Sequence, residues 1–66
     1  MKNTIKVERA KLSISQTELA EQVGVSKQTI HSVETGRFVP STVLALKIAR
    51  FFKTPVESIF ELEPAD

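Results

Sequence analysis

The sequence predicts an all-α fold: five short helices in a single domain spanning 1–66, closed by a small antiparallel ribbon between its two ends. Three observations lead there. Apolar residues recur at helical spacing along nearly the whole chain. Two consecutive segments each open on a serine and stop at a glycine, Ser15 to Gly24 and Ser26 to Gly36, which is the start and stop chemistry of short helices. The tail from Ser58 to Glu63 alternates instead, with Phe60 and Leu62 on one side and Glu61 and Glu63 on the other. That is the period of a strand.

Taken in order, Ile5, Ala10 and Leu12, with the stem of Arg9, suggest a first helix over about residues 4–12, capped by Asn3 or Thr4. Ser15 and Glu18 stand at the spacing of a capping box. They open a second helix over 16–23 whose inward stripe is Leu19, Ala20 and Val23. Gly24 supplies the left-handed residue that ends it. Ser26, after a staple position at Val25, caps a third helix over 27–35 with Ile30 and Val33 inward. Pro40-Ser41 starts a fourth, roughly 41–52, with Ala45, Ile48, Ala49 and Phe52 inward. Pro55 fits the first position of a final turn over 55–59 capped by Thr54. A lone strand needs a partner, and residues 1–4 are the natural one.

Sixty-six residues make one domain that buries only about 60% of its unfolded surface. With no cysteine, neither a disulfide nor a thiolate metal site can supplement so thin a core, which leaves oligomerisation. The start, Met-Lys-Asn-Thr-Ile-Lys, has a lysine but no apolar stretch after it, so no secretion signal is expected. No run approaches the roughly 18 apolar residues of a membrane helix. The expected location is therefore cytoplasmic, on the nucleoid. Net charge is +1, but residues 1–54 hold nine Lys and Arg against four Glu, +5, and residues 55–66 hold four acids and no base, −4. A basic body suggests a polyanionic partner.

The paired helices point to which polyanion. The third helix stands away from the body with Lys27, Gln28, His31 and Ser32 on its open face. These side chains can reach phosphates and base edges. On so small a chain, a helix held that way is most economically a reader of double-stranded DNA.

The run Arg9…Ile14-Ser15-Gln16-x-Glu18-Leu19-Ala20…Gly24-Val25-Ser26…Ile30…Val33-Glu34-x-Gly36-Arg37…Pro40-Ser41 resembles the lambda-repressor-type helix-turn-helix family over about residues 4–53. The whole chain, with Ala45-Leu46-Lys47-Ile48-Ala49 and Pro55…Ile59-Phe60, is similar to the small bacterial cytolysin-repressor-type regulators. That resemblance implies a compact five-helix domain, paired end segments and a homodimer.

In such motifs the second helix crosses the DNA backbone while the third inserts its N-terminal residues into the major groove. By register Gln28 is the best base reader, because an amide can bond adenine N6 and N7 together. Lys27 can donate to guanine or to a phosphate. Ser32 carries over from the family as a third reader. Polar residues on an open helix face are ordinarily solvent contacts, and only the intact motif lifts these above that reading. Phosphate contacts are expected from Gln16, where helix amides add favourable partial charge, and from His31. The resemblance adds Thr35 and Arg37 around Gly36. It also implies that Arg9 and Glu34 form a structural ion pair joining the first helix to the end of the third. His31 has no second histidine or cysteine to complete a metal site, so no metal and no cofactor are expected.

One reader helix covers too few base pairs for gene-level specificity, so a homodimer on paired half-sites is expected. Leu44 (or Leu46), Phe51, Phe60 and Leu62 exceed what a small core should need and are the interface candidates. The leading function is a transcriptional repressor, since a steric block requires only occupancy; a regulatory protein partner stays open. The alternative is an antitoxin-type module that uses its acidic tail to bind a toxin. An enzyme is disfavoured. There is one His, one Asp and no Gly-rich phosphate loop, and no nucleophile lies beside a base.

Overall fold

A computed structural model describes residues 1–66. The order is β1 (Lys2–Asn3), α1 (Ile5–Leu12), α2 (Gln16–Val23), α3 (Lys27–Glu34), α4 (Thr42–Phe52), α5 (Val56–Ile59) and β2 (Phe60–Glu61). The five helices and the ribbon stand as expected. β1 and β2 pair antiparallel, with Lys2 opposite Glu61 and Asn3 opposite Phe60. The Thr4 amide extends the pairing by donating to the Ile59 carbonyl at 2.9 Å. No helix is long and apolar enough to cross a membrane.

The central pair of helices forms for the local reasons given above. Ser15 Oγ accepts from the Glu18 amide at 3.0 Å, and the Glu18 carboxylate accepts from the Ser15 amide at 3.1 Å, completing the capping box. Gly24 ends α2 at φ 75°, a conformation that an L side chain resists. Ser26 Oγ then accepts from the Thr29 amide at 3.1 Å and starts α3. Ser41 caps α4 through the Leu44 amide in the same way. At the start of α1, Asn3 Oδ1 accepts from the Ile5 amide at 3.2 Å, and its Nδ2 donates to the Val33 carbonyl at 2.9 Å. Thr4, at the cap position, makes no side-chain cap bond, so Asn3 alone holds the first amide of α1 and ties the helix to α3.

Eleven apolar residues make the core: Ile5, Leu19, Ala20, Val23, Ile30, Val33, Leu44, Ile48, Ala49, Ile59 and Phe60. Four expectations need correction. On α1 only Ile5 is buried; Ala10 is exposed and Leu12 is 51% exposed. Ala10, five residues beyond Ile5, falls off its face. The positions that share that face, i+3 and i+4, are Glu8 and Arg9, so α1 presents a guanidinium to the body. Thr54 does not cap α5, because its hydroxyl donates to the Phe52 carbonyl at 3.0 Å and Pro55 takes the cap position. On α4, Leu44 faces inward, whereas Ala45 and Phe52 are only half-buried.

The fourth correction concerns the interface set. Leu44 and Phe60 are 7% and 9% exposed, already covered within one copy. Phe51 packs edge-to-face on Phe52 with centroids 5.2 Å apart, and is half-buried. Of the four, only Leu62 is freely exposed. The acidic tail is also engaged by the chain itself. Glu63 and Asp66 each reach the Met1 α-amino group at 3.1 Å and hold its pKa above the ordinary value, chiefly through the hydrogen bond it donates to Glu63.

Candidate DNA interface

α3 carries the candidate side chains on the side opposite Ile30 and Val33, which anchor it in the core. Lys27, Gln28 and His31 are exposed, and Ser32, one turn after Gln28, is half-exposed. Gln28 and Ser32 share a shallow depression with Ser26, Thr29 and Phe38. Their amide and hydroxyl groups can therefore converge on one bound edge.

Lys27 occupies the first position of α3, whose first turn holds no acid. A cation there opposes the positive end of the helix dipole, which is unfavourable in water by roughly 0.3–1 kcal/mol. A phosphate or guanine edge placed at that end reverses the sign. Arg37 is exposed beyond Gly36 and, like Lys27, has no ion-pair partner.

The loop after α3 is fixed by its own backbone. Gly36 turns at φ 80°, and the Arg37 and Phe38 amides both donate to the Ser32 carbonyl, at 3.0 and 3.2 Å. Thr35 is bound up in the same turn. Its hydroxyl donates back to the His31 and Ser32 carbonyls at 3.0 and 3.2 Å, so in this rotamer it has no proton to give a phosphate.

Behind α3 runs a chain of polar contacts. Arg9 Nε donates to Glu34 Oε2 at 2.7 Å and its Nη2 to Oε1 at 3.0 Å, a bidentate pair. The third arm, Nη1, donates to the Ile14 carbonyl at 3.0 Å. The Glu34 hydrogen bond raises the Arg9 pKa above its ordinary value against a smaller opposing effect of burial. Gln16 Nε2 lies 3.4 Å from Glu34 Oε1 and 3.3 Å from His31 Nδ1. The side chain expected on a phosphate thus bridges α2 to α3. Its backbone amide, in the first turn of α2, meets no acceptor in the chain and remains open to an anion.

Two groups were missed in the sequence. Phe38, 49% exposed beside Gln28 and Ser32, sits in a loop where periodicity carries no signal. The second is an apolar depression lined by Met1, Val39, Pro40, Leu46, Val56 and Phe60, beside an exposed Val43. Leu46 was an expected alternative there; the valines were not, because α4 is apolar almost all round.

Known proteins agree with this geometry. A family model described as helix-turn-helix matches residues 5–59. An uncharacterized HTH-type transcriptional regulator of Bacillus subtilis is 48% identical over 63 residues, covering 96% of each chain. One of Methanocaldococcus jannaschii is likewise 48% identical over 63 residues, again 96% of each. One of Methanothermobacter thermautotrophicus is 45% identical over 64 residues, 96% of this chain and 93% of its own. With a serine-capped helix held on a capping-box helix across Gly24, a helix-turn-helix model matching residues 5–59, and regulators of similar length nearly half identical, the chain belongs to the lambda-repressor-like helix-turn-helix family of non-enzymatic, DNA-binding transcriptional regulators.

Proposed function

We propose that the protein is a homodimeric repressor that binds a two-fold symmetric operator through the major groove. The observation that carries the reading is the outward face of α3, where Lys27 and Gln28 stand in the first turn of a helix anchored by Ile30 and Val33, with Ser32 one turn further along the same face. Gln28 and Ser32 read base edges, and Lys27 a guanine or the adjoining phosphate. His31, Arg37 and the first-turn amide of α2 hold the backbone. Repression follows from economy: occupancy of a promoter needs no further surface.

The dimer reading is supported by the apolar depression. Val39, Val43 and Leu46 are all more than half exposed, and Met1, Val56 and Phe60 continue the patch. A second copy seated there covers side chains that otherwise face water. Leu62, freely exposed, stays a candidate for the same contact, while Leu44 is covered within one copy and Phe51 packs against the core. The longest extent of one copy is 31 Å. Two adjacent copies are then of the right size to set reader helices one DNA turn, about 34 Å, apart. The antitoxin-type alternative is not favoured, since Glu61 faces Lys2 and the last acids hold Met1.

The test is selection of bound duplexes from a random pool at roughly physiological salt, where non-specific binding is weak at ~10⁻⁴–10⁻⁶ M. Enrichment of a symmetric site with half-sites about 10 base pairs apart supports sequence reading and the dimer together. Enrichment of an unpaired half-site removes the dimer, and no enrichment removes sequence reading.

A further inference from the structure

We infer that Phe38 is a specificity-determining residue, an apolar reader that lies against the C5-methyl group of a thymine at the edge of the half-site. The inference rests on the DNA-reading role of α3 proposed above and adds to it a group outside the helix.

A single exposed phenylalanine means little by itself. This one differs from its three counterparts and from ordinary loop residues. Phe60 is in the core, and Phe51 and Phe52 pack against it; Phe38 belongs to neither set and is 49% exposed. It is not carried on a loose segment. Its amide and that of Arg37 both hold the Ser32 carbonyl, so the ring is tied to the reader helix at the level of a candidate reader. The ring then forms one wall of the depression whose other side is Gln28, Thr29 and Ser32.

A base edge presented to that depression meets an amide, three hydroxyls and a phenyl ring. In the major groove the apolar feature that distinguishes one base pair from another is the thymine methyl. Amide and phenyl side by side fit an adenine next to a thymine, with Gln28 bonding N6 and N7 of the first and Phe38 covering the methyl of the second. Arg37, adjacent in the chain, can meanwhile meet the phosphate.

The test takes the selected operator and replaces each thymine in turn by deoxyuridine, which removes only the methyl group. Binding is measured for the wild-type protein, Phe38→Ala and Phe38→Leu, with sedimentation as a check on assembly. At one position per half-site, wild-type affinity should fall roughly fourfold on loss of the methyl, the effect of one buried apolar carbon. Phe38→Ala should bind the two duplexes equally, and Phe38→Leu should keep part of the preference. Phe38→Ala should still discriminate at the base pair read by Gln28. A thymine preference unchanged in Phe38→Ala overturns the inference while leaving α3 as reader. Loss of the dimer in Phe38→Ala overturns it in favour of a contact between copies. If the wild-type protein enriches no sequence, the underlying reading fails and this inference with it.

Discussion

Glu34→Ala should unfold the protein far more readily than a surface substitution, without changing which DNA it prefers. The change removes both acceptors of the Arg9 fork at once and leaves the guanidinium with only the Ile14 carbonyl. An exposed ion pair contributes about 0–1 kcal/mol, and breaking a buried one costs about 3–5 kcal/mol. Here the side chains are 15% and 7% exposed, so Glu34 is nearly covered while the Arg9 head keeps a path to water. About 2 kcal/mol is therefore expected. In a domain this small, 1 kcal/mol moves the melting temperature by about 4–8 °C, which places the loss at roughly 8–16 °C. Calorimetric melting of Glu34→Ala, Arg9→Ala and the double variant checks the magnitude and the coupling together. The double variant should be less destabilised than the two single losses summed, because neither partner is then stranded. A Glu34→Ala melting point within about 2 °C of wild type refutes the reasoning. So does an altered base preference measured where the variant is folded.

Three further substitutions separate the roles on the DNA side. Gln28→Ala should relax preference at particular base pairs, with a loss of about 1–3 kcal/mol at the selected site in a competition assay; equal weakening on every sequence removes it as a reader. Arg37→Ala should weaken binding to all duplexes and reduce the slope of log affinity against log salt by about one. Leu46→Asp places a carboxylate in the apolar depression, and sedimentation should then show monomers that bind single half-sites weakly. A dimer surviving that change moves the interface off α4.

What was legible in the sequence was whatever local chemistry determines. The capping box at Ser15 and Glu18 and the left-handed turn at Gly24 each involve neighbours within one turn, so spacing alone locates them. Arg9 and Glu34 lie 25 residues apart and were joined only by family resemblance. Which apolar side chains of α4 the body covers was not legible, for a physical reason. α4 runs Thr-Val-Leu-Ala-Leu-Lys-Ile-Ala-Arg-Phe-Phe, apolar on most of its circumference, so its periodicity cannot say which leucine the body covers. Only the packing of α4 against α2 and α5 decides that Leu44 is inside and Leu46 outside. Thr35 is a different case: only the resemblance marked it as a phosphate contact, and the rotamer that turns its hydroxyl back on its own helix depends on the turn at Gly36.

No buried side-chain nitrogen or oxygen lacks a hydrogen-bond partner, so the chain's departures from local rules lie on its surface. Lys27 is the clearest of them, because its two effects have opposite signs. In the free protein it opposes the α3 dipole and occupies a site where alanine is the better helix former. Lys27→Ala should accordingly raise the melting temperature of the free protein by a few degrees, the counterpart of roughly 0.3–1 kcal/mol. Bound to DNA, the same charge at the same helix end meets a base edge or phosphate, and its removal should weaken the complex. Ligand linkage reads both effects in one experiment. Operator duplex at 100 times the dissociation constant stabilises the folded state by about 2.7 kcal/mol. At one fixed duplex concentration the variant should start from a higher melting point and gain less from the DNA. If Lys27→Ala leaves the free protein unchanged and gains as much from the operator as wild type does, Lys27 has neither role. A variant more stable alone but less stabilised by operator marks it as a residue whose helix position only DNA makes favourable.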